Sequence, residues 1–337
     1  MTRPLVQARG LIKTFTRRSV FGGPRRQSLR AVDGVDLDVH QAETVGLVGE
    51  SGSGKSTLGR MLVRLIDPDS GELRFDGTDL LTLRAAPLRG LRRQFQIIFQ
   101  DPYGSLNPRM RVGTAIGEPL VIHRIVAGRA ERDERVAHLL EQVGLDRSAA
   151  TRYPHAFSGG QRQRIGIARA IACSPRFIVA DEPVTALDPP VQAQIINLLA
   201  DLQDELRLAY LLIAHDLRLV EQVCDRVAVM YLGGIVELAP ADVLYREPRH
   251  PYTQALLAST PSGIPGAPAP PALRGEMPSP VDPPTGCTFH PRCPVAEPEC
   301  ARLAPRLLEI DRQHEVACHL VHPRDEPDPA GAESCRE

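Results

Sequence analysis

Between residues 5 and 240, short runs of β-favouring apolar residues alternate with segments whose apolar residues recur at helical spacing. Residues 44–48 form a buried-strand run that leads into a glycine-rich loop, and residues 55–66 then have the period of a helix. Residues 177–180 and 211–214 are two more apolar runs of the kind found in parallel sheets. The pattern therefore predicts an α/β fold built on a parallel sheet.

Helical patterning dominates between the glycine-rich loop and Ser158. Residues 131–143 have one apolar face and are followed by Gly144, a typical helix terminator. Asp188 followed by Pro189 marks the start of a further helix, because aspartate caps helices and proline is tolerated in the first turn. We expect a helical subdomain inserted in the α/β core.

The composition changes near residue 240, because nineteen of the 31 prolines lie in the last 98 residues. That density is too high for long helices or central strands. The sequence therefore predicts a core domain of residues 1–240 and a small irregular domain, rich in proline and cysteine, of residues 241–337. Residues 261–271 are expected to be a linker and residues 325–337 a disordered tail.

The charge and hydropathy of the chain limit the classes of function that it can have. Lys plus Arg total 40 and Asp plus Glu total 41, so the net charge gives no indication of nucleic-acid binding. No apolar stretch approaches the roughly 18 residues that cross a bilayer, and the N-terminus lacks the apolar run of a secretory signal. We expect a cytoplasmic protein that works at a membrane by docking peripherally onto a protein that spans it.

The glycine-rich loop fits the pattern G-x-x-x-x-G-K-S, which binds nucleotide phosphates. Its glycines let backbone N–H groups curl around the phosphates, its lysine reaches the β- and γ-oxygens, and its hydroxyl coordinates Mg²⁺. The following helix points its positive end at the same phosphates. The predicted phosphate-binding residues are Gly49, Glu50, Ser51, Gly52, Ser53, Gly54, Lys55, Ser56 and the adjacent Thr57.

Four polar residues follow predicted strands and complete the hydrolytic chemistry. Asp181 is suited to hold Mg²⁺, and Glu182 can orient and deprotonate the attacking water. Gln100 can offer an amide oxygen to Mg²⁺ or water, and His215 can reach a γ-phosphate. These residues predict a magnesium-dependent hydrolytic site.

Residues 158–161 open a helix that suits a second phosphate contact. The hydroxyl of Ser158 and the N–H groups of Gly159 and Gly160 form an anion site at a helix N-terminus, with Gln161 next to them. This helix begins well after the phosphate loop of its own chain. Two chains facing head to tail would each cover the other's nucleotide, so the sequence predicts sites shared between two subunits.

Over residues 5–240 these motifs have the order found in ATP-binding-cassette (ABC) ATPases, which the chain resembles. The resemblance implies a P-loop NTPase fold of the ABC type that binds ATP and Mg²⁺ and hydrolyses ATP. It also implies that Phe15 stacks on adenine. The remaining implied roles are Q-loop for Gln100, signature for residues 158–161, catalytic base for Glu182, D-loop for Asp188 and switch histidine for His215.

Four cysteines in the last part of the chain have the spacing C-x5-C-x6-C-x17-C: Cys287, Cys293, Cys300 and Cys318. This is neither the zinc-ribbon spacing nor the ferredoxin spacing. From the residues alone, an iron–sulfur cluster, a zinc ion and unligated core thiols all remain open.

A second resemblance covers almost the whole chain. Residues 249–257 and 275–280 are similar to the C-terminal extension of oligopeptide and dipeptide importer ATPases. This resemblance implies a 4Fe-4S cluster on the four cysteines. It further implies a second ATPase subunit, which can be a paralogue or another copy, two membrane permease subunits, and an extracellular substrate-binding protein reached through the permeases. Peptides, or alternatively nickel, are the implied substrates.

The alternative function is an ABC ATPase that acts on nucleic acid or the ribosome without a permease. Such proteins usually place a long coiled coil between the two motifs or fuse two cassettes. Here about a hundred residues separate Gly49 from Ser158, and the sequence has neither a heptad run nor a second cassette. The sequence therefore favours a transport ATPase with no nucleic-acid partner.

Overall fold

The computed structural model describes residues 3–17, 27–259 and 275–321. The predicted linker and disordered tail lie outside these residues. The strands are β1 (Val6–Arg17), β2 (Gln27–Val39), β3 (Thr44–Val48), β4 (Ser70–Phe75), β5 (Thr78–Asp79), β6 (Phe95–Ile98), β7 (Phe177–Asp181), β8 (Ala209–Ile213), β9 (Arg226–Tyr231), β10 (Gly234–Pro240), β11 (Leu308–Asp311) and β12 (His314–Val316). The α-helices are α1 (Lys55–Leu62), α2 (Ala85–Leu91), α3 (Pro102–Ser105), α4 (Val112–Ile122), α5 (Arg129–Gln142), α6 (Gly159–Ile171), α7 (Pro189–Leu206), α8 (Leu217–Val223), α9 (Ala241–Arg246) and α10 (Pro251–Ala258).

The central sheet has the strand order β11-β12-β10-β9-β3-β8-β7-β6. Strands β6, β7, β8, β3 and β9 run parallel, and β10 pairs antiparallel with β9. The predicted apolar runs are β3, β7 and β8, and all of their residues are buried. Because parallel strands share one carboxyl edge, the loops after β3, β6, β7 and β8 meet there.

A second, antiparallel sheet of order β2-β1-β4-β5 faces the first across helix α1. Leu58, Met61 and Leu62 of α1 are buried in the core that both sheets share. The helix is shorter than the predicted residues 55–66, because Arg64 takes the left-handed conformation with φ 46° and leaves Leu65 exposed.

Helices α3 to α6, which lie between β6 and β7 in the sequence, pack around a separate apolar core. The predicted helix 131–143 is α5, and Gly144 follows it with φ 73°. This confirms the α/β core with an inserted helical subdomain. In the three described ranges, no helix is both long and apolar enough to cross a bilayer.

Residues after 240 join the central sheet. Strand β12 pairs with β10, and β11 extends the same edge. Tyr231 from before residue 240 and Tyr252 and Phe289 from after it are buried in one apolar cluster. The division into domains of residues 1–240 and 241–337 stays a prediction.

Candidate active site

The phosphate loop joins β3 to α1 in a conformation that requires glycine. Gly49 has φ 150°, and a Cβ atom there would lie 2.1 Å from the carbonyl oxygen of Met230. Gly54 has φ 108°, and a Cβ atom there would lie 2.1 Å from the carbonyl oxygen of Ala31. Other residues would clash with backbone at both positions, so these glycines fix the path of the loop.

Lys55 lies across this loop and is buried. Its Nζ donates to the carbonyl oxygen of Gly49 at 2.7 Å and to that of Glu50 at 2.9 Å. Burial lowers the pKa of Lys55, while Glu182, Asp181 and Glu50 act in the opposite direction. A desolvated ammonium held at the start of a helix is a strong site for phosphate oxygens.

Ser56 and Asp181 form the predicted metal-binding pair. Ser56 Oγ donates to Asp181 Oδ1 at 2.7 Å, and the Asp181 carboxylate is almost fully buried. Arg60 lies 3.5 Å from the other carboxylate oxygen. A hydroxyl beside a buried carboxylate at the end of β7 supplies the oxygen ligands that Mg²⁺ prefers, so the donor set fits this ion.

The structure brings Gln100, Glu182 and His215 together. Gln100 Nε2 donates to Glu182 Oε2 at 2.7 Å, and His215 Nδ1 lies 3.7 Å from the same oxygen. Glu182 has φ 48°, an uncommon conformation for a residue other than glycine, and its N–H donates to Ile213 on β8. The backbone thus holds the predicted base against the strand that precedes His215.

Thr185 belongs to the same cluster, although the sequence reasoning did not identify it. Its hydroxyl lies 3.1 Å from Glu182 Oε2 and 3.5 Å from His215 Nδ1. The sequence offers one clue to Thr185, because it is a hydroxyl residue three positions after Glu182, just beyond strand β7.

Ser158 caps helix α6 with a reciprocal pair of bonds. Its Oγ accepts from the N–H of Gln161 at 3.3 Å, and its own N–H donates to Gln161 Oε1 at 3.1 Å. Ser158, Gly159 and Gln161 are exposed, while Gly160 is buried. Within the residues that the structure covers, no hydrogen bond joins residues 158–161 to the phosphate loop. The exposed helix start is therefore open to a molecule outside this chain.

Asp188 and Phe15 are the two remaining predicted site residues. Asp188 precedes α7 in an extended conformation, next to Leu187, which lies close to Gly159. Phe15 is on β1 with 40% of its surface exposed, and Lys13 Nζ lies 5.8 Å from its ring centroid. The role of Phe15 in stacking on adenine stays a prediction.

The four cysteines line one small cavity together with Pro251 and Phe289. Burial raises the pKa of Cys287 to about 11 and raises those of Cys293 and Cys318. Among the described residues, no group of three or more His, Cys, Asp or Glu side chains is placed to hold a metal ion. The four thiols therefore share one cavity without forming a metal site among the described residues.

Two families match the chain. The ABC transporter family matches residues 32–185, and the family described as the C-terminal region of oligopeptide/dipeptide transporters matches residues 236–300. The oligopeptide transport ATP-binding protein AppF of Bacillus subtilis is 49% identical over 320 residues, which cover 94% of this chain and 97% of that protein. A Brucella ovis protein named for peptide import and ATP binding is 52% identical over 316 residues, with the same coverage.

Solved structures resemble the core of the chain. A dimeric ATP-binding cassette in a post-hydrolysis state with ADP and Pi has a TM-score of 0.63 and 28% identity, covering 70% of this chain and 98% of that one. A component of the ABC transporter complex cbiONQ from Clostridium perfringens has a TM-score of 0.61 and 25% identity, covering 72% and 91%.

Proposed function

This chain belongs to the family of ABC transporter ATP-binding proteins, and we propose that it is the ATP-hydrolysing subunit of a membrane importer for di- and oligopeptides. The observation that carries the proposal is similarity along 94% of the chain to ATP-binding proteins named for peptide transport. That similarity includes both the phosphate-binding core and the region after residue 236. No observation favours the alternative function on nucleic acid or the ribosome.

In the proposed reaction Lys55 and the loop N–H groups hold the phosphates of ATP. Ser56, Asp181 and Gln100 would hold Mg²⁺, which when bound offsets the charge on the β- and γ-phosphates. Glu182 accepts the proton of the attacking water, and its bond to Gln100 orients the carboxylate. His215, whose Nδ1 lies 3.7 Å from Glu182 Oε2, would hydrogen-bond the γ-phosphate.

The signature residues act on a nucleotide bound by a second ATPase subunit. Support comes from the capped helix start at Ser158, which is exposed and separate from the phosphate loop of its own chain. In a head-to-tail pair, the hydroxyl of Ser158 and the N–H groups after it would close the partner's site. The second subunit is a paralogue or another copy of this chain.

The chain works at the cytoplasmic face of the membrane, bound to two permease subunits that receive substrate from an extracellular binding protein. Residues 103–123, just after Gln100, provide the docking surface. Val121 and Ile122, near the end of α4, are 54% and 57% exposed, and two adjacent exposed apolar side chains fit contact with a protein partner.

The four cysteines bind a 4Fe-4S cluster in the predicted domain of residues 241–337. Support is their convergence on one cavity. Zinc is the alternative occupant, because four thiolates are also a common ligand set for a structural zinc ion. Anaerobic purification should yield brown protein with equal iron and sulfide, whereas colourless, iron-free protein would exclude the cluster.

Transport is tested by reconstituting the chain with its second ATPase subunit, its permeases and its substrate-binding protein in vesicles, with ATP and Mg²⁺ on the cytoplasmic side. We expect uptake of labelled di- or oligopeptides that Glu182→Gln abolishes and the matched surface variant Glu205→Gln leaves intact. Uptake of Ni²⁺ in place of peptide would identify nickel as the transported substrate. Recovery of the chain on ribosomes, with no permease bound, would overturn the transport function.

A further inference from the structure

The region after residue 240 contacts the phosphate loop directly. The guanidinium of Arg292 donates to both carboxylate oxygens of Glu50, with Nη1–Oε2 at 2.6 Å and Nη2–Oε1 at 3.1 Å. The side chain of Arg292 is 4% exposed and that of Glu50 is 26% exposed. A bidentate pair so well protected from water is strong and directional, and it joins residues 242 positions apart.

The backbone of Glu50 is held as well. Its N–H donates to the hydroxyl of Tyr252 at 2.9 Å, and its carbonyl accepts from Lys55 Nζ at 2.9 Å. The carboxylate and the N–H of Glu50 are thus fixed from outside the loop, while its carbonyl contacts the lysine that binds phosphate. Rotation of this residue would change the position of Lys55.

The groups that hold Glu50 have little freedom of their own. Tyr252 packs against Tyr231 with ring centroids 4.6 Å apart, and Phe289 lies 5.3 Å from both rings. All three rings are almost fully buried. Arg292 Nη1 also lies 3.4 Å from the hydroxyl of Tyr231. Displacing Arg292 would therefore disturb a packed aromatic cluster.

The buried carboxylate of Glu237 fixes the position of the helix that carries Tyr252. Glu237 on β10 accepts from the N–H groups of Arg249 at 2.7 Å and His250 at 3.0 Å, directly before α10 begins. His314 Nε2 lies 2.8 Å from the same carboxylate. The central sheet thus fixes the start of the helix whose tyrosine reaches the phosphate loop.

We propose that Arg292 is a positioning residue of the nucleotide site. By fixing Glu50, it keeps Lys55 and the loop N–H groups in the arrangement that receives the phosphates of ATP. The inference rests on the proposed ATPase function and deepens it, because it makes the region after residue 240 a part of the ATP site. Replacing Arg292 should affect ATP binding more than the chemical step, because Glu182 contacts Gln100, Thr185 and His215.

The main experiment measures ATP binding and steady-state hydrolysis of the full-length chain with Arg292→Gln. We expect Kd and KM for ATP to rise about tenfold, equivalent to about 1.4 kcal/mol, with kcat changed by less than about twofold. Arg292→Lys keeps the charge but loses the paired geometry, so it should recover part of the affinity. The matched control is Arg249→Gln, which removes an exposed ion pair with Glu247 and should leave KM unchanged.

A second variant keeps the test decisive if Arg292→Gln does not fold. Glu50→Gln retains the size of the side chain and should raise KM for ATP by a similar factor. In the double variant Glu50→Gln/Arg292→Gln, KM should be no higher than in either single variant, because both single changes break the same contact.

Three results would overturn the inference: an unchanged KM in a folded Arg292→Gln variant, an unchanged KM in Glu50→Gln, or effects that multiply in the double variant. A folded variant with a lower melting temperature but normal KM would show that the pair only attaches the C-terminal region. Failure of the unaltered chain to bind ATP would instead contradict the proposed function.

Discussion

Gln100 and Glu182 are joined by a hydrogen bond of 2.7 Å, although 82 positions separate them in the chain. The bond connects the end of β6 with the end of β7, two adjacent parallel strands. The carboxylate of Glu182, the proposed catalytic base, is thereby oriented by Gln100, which lies just before the proposed permease-docking segment of residues 103–123. A movement of that segment would therefore be transmitted through Gln100 to the side chain of Glu182.

Replacing Glu182 with glutamine should abolish turnover while ATP binding persists. The amide has the size of the carboxylate and can still accept from Gln100, but it cannot take a proton from water. We expect hydrolysis to fall by about 10²–10⁴-fold, with the ATP Kd unchanged in a filter-binding assay. The surface variant Glu205→Gln controls for loss of charge, and substantial turnover in Glu182→Gln would assign the base elsewhere.

Removing the hydroxyl of Ser56 should weaken Mg²⁺ binding. Ser56→Ala deletes both the proposed ligand and the bond to Asp181, which leaves a buried carboxylate with fewer partners. The Mg²⁺ concentration for half-maximal activity should rise about tenfold or more. Ser56→Thr restores the hydroxyl and should restore the Mg²⁺ dependence. Equal Mg²⁺ titrations for Ser56→Ala and the unaltered chain would exclude this ligand.

The conformation of the phosphate loop can be tested with Gly54→Ala. The added methyl would lie 2.1 Å from the carbonyl oxygen of Ala31 at φ 108°, so the loop must move and ATP binding should be lost. Gly90→Ala is the matched control, because no atom lies within 4 Å of its Cβ position and alanine favours the helix there. Isothermal calorimetry with ATP distinguishes the two variants; normal affinity in Gly54→Ala would contradict the loop geometry.

Ser158→Arg should reduce ATP hydrolysis without weakening ATP binding. The residue lies away from the phosphate loop of its own chain, so the isolated chain should bind ATP normally. Turnover should nevertheless fall by about 10²–10³-fold, as expected when a phosphate contact is removed from a closed site. Ser158→Thr preserves the helix cap and should remain active. A loss of ATP affinity in the isolated Ser158→Arg chain would mean that the signature acts within one subunit.

The sequence predicted the central strands and the active-site cluster because both depend on local patterns. Apolar runs identify β3, β7 and β8, and polar residues directly after parallel strands must meet at one edge of the sheet. Glu182 and His215, each just beyond such a strand, lie 3.7 Å apart at this edge. Thr185 was not predicted, because a single threonine in a loop belongs to no periodic pattern of residues.

Contacts between distant segments were not predictable. Strands β11 and β12 have four and three residues, too short for a clear alternation, and their pairing beside β10 depends on the tertiary fold. The same holds for Arg292 and Glu50: a proline-rich region gives no signal that one of its arginines reaches the phosphate loop. The packing of Tyr231, Tyr252 and Phe289 in one buried cluster accompanies the contact between Arg292 and Glu50.

Acid should destabilise the chain through His250. Burial lowers the pKa of His250 to about 4, and its Nδ1 accepts a bond from the N–H of Tyr252 at 3.0 Å, which the protonated ring cannot do. In the unfolded chain the pKa is about 6.5. Between these values the unfolded state binds the proton and the folded state does not, so the free energy of unfolding should fall as pH decreases, by up to about 1.4 kcal/mol per pH unit.

The variant His250→Asn isolates this contribution. Asparagine is a good helix cap, so it can accept from the N–H of Tyr252 without titrating. Chemical denaturation at several pH values from 4 to 8 should show a flatter pH dependence for His250→Asn than for the unaltered chain. The exposed His138→Asn variant should keep the original slope. An unchanged slope in His250→Asn would assign the acid sensitivity to other groups, because the substitution removes the titrating ring while the cap remains.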